Sequence, residues 1–92
     1  MKAFRWDPQK NEWLKAHRKV DFELVVLKIA GGDILAIIDR GNKARYPNQR
    51  IFVIDIGGYA HVVPFVESES EIFLKTIIPS RKAKRQFMDE GG

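Results

Sequence analysis

The stretch Ile77-Ile78-Pro79-Ser80-Arg81-Lys82-Ala83-Lys84-Arg85 runs an apolar segment straight into a cluster of cations. Ser80 is a helix-capping residue type, so Arg81 and Lys82 fall in a first helical turn, where cations oppose the macrodipole. Sequences accept that cost where a cation is wanted beside an anion held at exposed N–H groups. Arg81 is the first candidate for a phosphate contact, because its guanidinium fork matches two phosphate oxygens. Lys75, Ser80, Lys82, Lys84 and Arg85 extend this candidate anion-binding surface. The alternative for Arg81 is an ion pair with the acidic tip Glu67-Ser68-Glu69-Ser70. His17 and His61 are the groups whose unperturbed pKa suits proton transfer near neutrality. Lys10 precedes His17 by seven positions, two turns along one helical face, so a cation can hold a phosphate while the imidazole moves a proton. A packing role is the alternative for His17. His61 shares a strand face with Tyr59, Val63 and Phe65, which reads as core. Arg50 opens a strand and is expected to point away from the core unless a bulge intervenes, so a simple edge charge competes with a role in a site.

Other chemistries are absent from the sequence. There is no cysteine, which excludes a disulfide framework, a thiolate nucleophile and a Cys-based metal site. Gly31-Gly32 and Gly57-Gly58 lack the spacing of a phosphate-binding loop. The two histidines do not have metal-ligand spacing, and Asp33, Asp39 and Asp55 are dispersed, so no metal or other cofactor is expected. The 16 Lys and Arg against 12 Asp and Glu give a net charge of +4, with a sequence pI near 9.6. Lys2, Arg5, Lys10, Lys15, Arg18 and Lys19 crowd the first twenty residues, and five more cations follow from Lys75 onward. If the two ends fold side by side, they make a field that attracts a polyanion.

These side chains need a scaffold. The 92 residues allow one domain, with a frayed end from about residue 89. A strand is expected over residues 3–6. Asp7-Pro8 starts a helix running to about residue 18, with Trp13, Leu14 and His17 on adjoining positions. Asp21 caps a second helix, whose Phe22, Val25, Val26 and Ile29 form one apolar stripe before Gly31-Gly32. A strand over residues 34–38 and a polar loop over 39–49, carrying Gly41, Asn42, Pro47 and Asn48, come next. Strands over 50–56 and 59–66 flank a Gly57-Gly58 hairpin turn, and a third covers 71–78. Pro64 implies a bulge or an edge position. A last helix spans about residues 81–88. The sum is an α+β domain: a short strand and two helices, an antiparallel sheet of three to four strands and a C-terminal helix, with the helices on one face. The apolar runs are too short to span a membrane, and residues 1–6 are too short and polar for a leader, so the cytoplasm is the expected compartment.

Four of these segments, in order and at similar spacing, resemble the BrnT-type toxins of the RelE-like ribonuclease superfamily. They are Phe4-Arg5-Trp6-Asp7-Pro8-Gln9-Lys10-Asn11, Leu14-Lys15-Ala16-His17-Arg18-Lys19-Val20-Asp21-Phe22-Glu23, Arg50-Ile51-Phe52-Val53-Ile54 and Ile77-Ile78-Pro79-Ser80-Arg81-Lys82-Ala83. Ala16, Arg18, Thr76 and Pro79 depart from that family's pattern. The resemblance implies a RelE-like fold and a metal-independent endoribonuclease that inhibits translation. It implies Lys10, His17, Arg50 and Arg81 as the site; the neighbouring Lys75, Ser80, Lys82, Lys84 and Arg85 are then candidate RNA contacts. It also implies an antitoxin partner with a ribbon-helix-helix DNA-binding part, and homo-dimerisation within that complex. A nuclease requires His17, Arg50 and Arg81 to converge in one cleft. The rival is a non-catalytic basic module that binds RNA or protein, its cations spread along a face with stacking aromatics. A third reading uses the strand over 59–66 as an exposed edge for strand addition.

Overall fold

A computed structural model of the chain describes residues 2–39, 44–45 and 49–89. Gly41, Asn42, Pro47 and Asn48 of the polar loop, and the terminal Glu90, Gly91 and Gly92, lie outside the described residues. Along the chain come β1 (Ala3–Arg5), α1 (Pro8–His17), α2 (Phe22–Ala30), β2 (Ile34–Asp39), β3 (Gln49–Ile56), β4 (Tyr59–Glu67), β5 (Glu71–Leu74), β6 (Ile78–Pro79) and α3 (Arg81–Lys84).

Three side-chain caps start the helices. Asp7 accepts from the Gln9 amide at 2.9 Å, Asp21 from the Leu24 amide at 2.8 Å and Ser80 from the Ala83 amide at 3.1 Å. Each satisfies one of the N–H groups that a helix start leaves without an internal partner. Asn11 of α1 performs the same service across the turn. It is only 3% exposed; its Oδ1 accepts from the Phe22 amide at 2.8 Å and its Nδ2 donates to Glu23 Oε1 at 2.8 Å. Between the helices, Lys19 adopts φ +59°, the left-handed conformation that follows many helix ends and that glycine occupies most easily.

The sheet has the strand order β1-β5-β4-β3-β2, with β6 also paired to β4. β1 lies parallel to β5 and the remaining pairs are antiparallel, so the sheet is mixed and six-stranded rather than an antiparallel one of three or four strands. Gly57 and Gly58, at φ +64° and +85°, make the tight turn of the β3–β4 hairpin. β4 is therefore central, flanked by β3 and by β5 with β6, and offers no free edge. The segment 71–78 is not one strand. Lys75 donates its amide to the Pro64 carbonyl at 2.8 Å, but Pro64 has no N–H to return the bond. The ladder breaks there, and pairing resumes one residue out of step, Ile78 with Val62 and Pro79 with His61. The slip lets Leu74 and Ile77, at odd spacing, both enter one core. Pro64 thus causes an irregularity in its neighbour while its own strand stays in register with β3.

Helices cover both faces. α1, α2 and the turn between them bury Leu14, Val20, Phe22 and Val25 against Phe52, Ile54, Val63, Phe65, Leu74 and Ile77. Phe52 and Phe65 stack at 4.0 Å between centroids, and Trp6 stacks on Phe22 at 5.7 Å. On the opposite face Ala83, Phe87 and Met88 pack on Val53, Ala60 and Val62. The expectation of helices on one face fails because Val53 and Ala60 have the opposite strand parity to Phe52 and Ile54, giving the sheet a second, smaller apolar surface. The last helix covers the expected residues, but only Arg81–Lys84 are α; after Lys84 it widens into a π turn over Arg85–Asp89.

Candidate nucleic-acid interface

α1 buries only Asn11 and Leu14, so most of its surface faces solvent. On that surface Trp13 is 39% exposed. The helical spacing brings three side chains onto its indole. The His17 ring stacks on it at 4.6 Å, Lys10 Nζ lies 4.4 Å from the ring centroid, and the Arg18 guanidinium lies 5.0 Å away. Lys10 and His17 therefore meet the same ring, as the seven-residue spacing implies. His17 Nδ1 lies 3.0 Å from the Trp13 carbonyl oxygen. A carbonyl only accepts, which assigns the hydrogen to Nδ1 and leaves Nε2 as the basic nitrogen of the neutral ring. Trp13 and Arg18 are the parts of this cluster that were not expected as site residues; the spacing Lys10, Trp13, His17 along one helical face is the signal for the first.

Arg18 also ties α1 to the irregular segment before α3. Its Nη1 donates to the Ile77 carbonyl at 2.7 Å. Arg81 follows Ile77 by four residues, so the backbone between them spans at most roughly 13 Å. The end of α1 and the start of α3 accordingly flank the β6 edge, where Arg81 and Lys82 are exposed. Ser80 spends its hydroxyl on the Ala83 amide. Lys84 is held by Asp89 at 3.0 Å, with its Nζ 5.8 Å from the Tyr59 ring centroid. Lys75 and Arg85 are exposed. His61 is 9% exposed, with Nδ1 2.9 Å from the Tyr59 carbonyl oxygen, which agrees with a core role.

Arg50 lies elsewhere. The β3–β4 ladder is continuous from Gln49 to Ile56, so Arg50 shares the face of Phe52 and Ile54 without any bulge. Its guanidinium lies 5.9 Å from the Phe65 ring centroid, and it pairs with Asp39 at 3.6 Å and Glu67 at 3.5 Å. Glu67 also accepts from Lys2 at 2.7 Å, and that hydrogen bond, more than the nearby charges, holds its carboxyl below the ordinary carboxylate range. Phe65, the partner of Arg50, and His61, the partner of Pro79, are four positions apart on β4, roughly 13 Å. The structure brings Lys10 and His17 together and sets Arg81 beside the same edge, but it does not bring Arg50 to Arg81. An ion pair between Arg81 and the acidic tip is ruled out by the same geometry, since the tip lies beyond the far end of β4, roughly 20 Å away.

No family model, curated protein or solved structure matches this chain. Among the described residues, no three His, Cys, Asp or Glu side chains gather as metal ligands. No described helix is long and apolar enough to cross a membrane.

Proposed function

We propose that this protein binds single-stranded RNA on the surface from α1 to the start of α3, and cleaves it without a metal as the toxin of a toxin–antitoxin pair. The observation that carries the binding half is the exposed Trp13 indole, flanked by an imidazole and two cations. A base of any identity stacks on the indole in place of the side chains that cover it, and the displaced cations hold the backbone phosphates. Support for cleavage comes from the basic Nε2 of His17 and from the resemblance of four segments to BrnT-type toxins. On this reading His17 Nε2 takes the proton of a ribose 2′-hydroxyl. The 2′-oxygen bonds to the adjacent phosphorus as the bond to the 5′-oxygen breaks, the 5′-oxygen takes a proton from a water molecule and leaves as a hydroxyl, and the His17 proton passes to the hydroxide left behind. Lys10, Arg18 and Arg81 offset charge on the phosphorane, while Arg50, engaged with Asp39 and Glu67, serves the fold. The partner in this reading is an antitoxin carrying a ribbon-helix-helix part.

A second reading, a binding module without cleavage, is favoured by one feature: the cluster holds a single imidazole, whereas in-line transfer uses both a base and an acid. End-labelled RNA incubated with the protein in excess EDTA separates the two. Cyclic-phosphate ends that disappear in His17→Ala, with binding retained, support cleavage. Binding that falls in Trp13→Ala with no cutting by the native chain supports the module. RNA affinity indifferent to both substitutions refutes the proposed surface.

A further inference from the structure

The edge of the sheet opposite β6 is built differently. β2 is a terminal strand, and no other described strand pairs with its outer side. Its sequence Ile34-Leu35-Ala36-Ile37-Ile38-Asp39 contains neither lysine nor proline, the usual guards of a free edge. Leu35, Ile37 and Ile38 are 38%, 44% and 37% exposed, large values for apolar residues on a strand whose outer side no described strand covers. Leu27 of α2, at 70%, adds further exposed apolar surface.

One end of this edge opens into a cleft of about 340 Å³ lined by Lys28, Gly32, Asp33, Ile34, Leu35 and Asp55. Ile34 pairs with Ile54 and Ala36 with Val53, so Leu35 is an extra, bulged residue at the cleft. Continuing the Ile34–Ile54 register one step places Asp33 directly across from Asp55. Like charges in cross-strand opposition are destabilising, and one ammonium, Lys28, shares the cleft with two carboxylates. A net negative cleft on a chain of net charge +4 is complementary to an added cation.

We propose that β2 and this cleft form a docking site for an extended segment of another polypeptide, with alternating apolar residues and a lysine or arginine beside them. The segment adds a strand to β2, its backbone pairing with the outer N–H and C=O groups and its apolar side chains covering the face that carries Ile37. Its cation enters the cleft between Asp33 and Asp55. This site stands independently of any RNA-binding role.

The test uses the full chain and two synthetic nine-residue peptides of alternating valine and threonine, one with lysine at both ends and one with glutamate. The lysine peptide is expected to slow amide hydrogen exchange over residues 34–39 and to bind about tenfold tighter than the glutamate peptide, against the pull of a net positive protein. Asp33→Asn should erase that preference, and Ile37→Lys should abolish binding while leaving the melting temperature unchanged. The proposal is overturned if the lysine peptide at millimolar concentration leaves these amides unprotected, or if the glutamate peptide binds equally well. It is also overturned if sedimentation shows a dimer of this chain that Ile37→Lys dissociates, since a second copy would then occupy β2.

Discussion

Asn11 offers the sharpest test of how the α1 surface is held in place. It adjoins Lys10, lies two residues before Trp13, and is the polar side chain that binds α1 to the start of α2. Asn11→Ala orphans the Phe22 amide at a buried position, which costs about 1–3 kcal/mol. It also removes a hydrogen bond to the Glu23 carboxylate; solvent can reach that carboxylate, so this loss falls at the low end, about 1 kcal/mol. The expected total is about 3 kcal/mol, a large part of the roughly 5–14 kcal/mol available to a domain of this length. Urea unfolding measures it directly, and the melting temperature should fall by about 10–20 °C. Asn11→Asp adds a signature that a packing defect lacks. In the native chain the Asn11 amide, ahead of the other causes, holds the Glu23 carboxyl below its ordinary value. A folded-state pKa below the unfolded one stabilises above the unfolded value and is lost as pH falls through the folded one, so the native chain loses this contribution below about pH 4. In Asn11→Asp two carboxylates face each other, protonating one relieves the repulsion, and stability relative to the native chain should improve from pH 7 to pH 4. A loss below 0.5 kcal/mol in Asn11→Ala, or parallel pH profiles for Asn11→Asp and the native chain, would refute the reasoning.

Three further outcomes are expected. Lys19→Gly relieves a left-handed backbone at φ +59° and should stabilise the chain by about 1 kcal/mol in thermal unfolding. Arg18→Ala removes the 2.7 Å bond to the Ile77 carbonyl, so amide exchange over residues 75–79 should accelerate at least severalfold while the β3–β4 hairpin stays protected. Glu67→Gln leaves a neutral partner for Lys2 and Arg50 and should change stability at pH 7 only slightly, because solvent screens these pairs. Because the native Glu67 carboxyl sits below its ordinary value, the variant should lose less stability than the native chain on acidification below about pH 4, as read by acid titration of the folded fraction.

The elements legible in the sequence are those whose causes are local. Asp7 and Asp21 start helices within their own segments, the stripe Phe22, Val25, Val26 and Ile29 specifies one buried face, and Gly57-Gly58 allows a single tight turn. The features that escaped a linear reading have causes elsewhere in the chain. Nothing within residues 71–78 signals a break; the missing N–H belongs to Pro64 on the neighbouring strand. The face chosen by α3 follows from Val53 and Ala60, small residues that become a floor only when β3 and β4 pair. The ion-pair partners of Arg50 also come from elsewhere, Asp39 from β2 and Glu67 from β4. The candidate site was half legible for the same reason. Lys10, Trp13 and His17 sit on one helix and follow from its period, whereas the approach of Arg18 to the chain before Arg81 depends on a tertiary contact.

That contact gives the net charge a spatial meaning. The cations of the two chain ends start from opposite faces of the sheet, on which α1 and α3 pack. They meet at the β6 edge, where Arg18 reaches the Ile77 carbonyl and Arg81 follows shortly after. From β6 through β4 and β3 to β2 are three strand spacings, roughly 14 Å, and across that distance the character of the edge reverses. Cations around an exposed indole give way to exposed aliphatic side chains beside two opposed carboxylates. A polyanion held at the first edge is repelled by the carboxylates of the second and finds no apolar surface it can use there. A strand added at the second is too far to cover Trp13 or His17. One sheet therefore presents two edges of opposite chemistry.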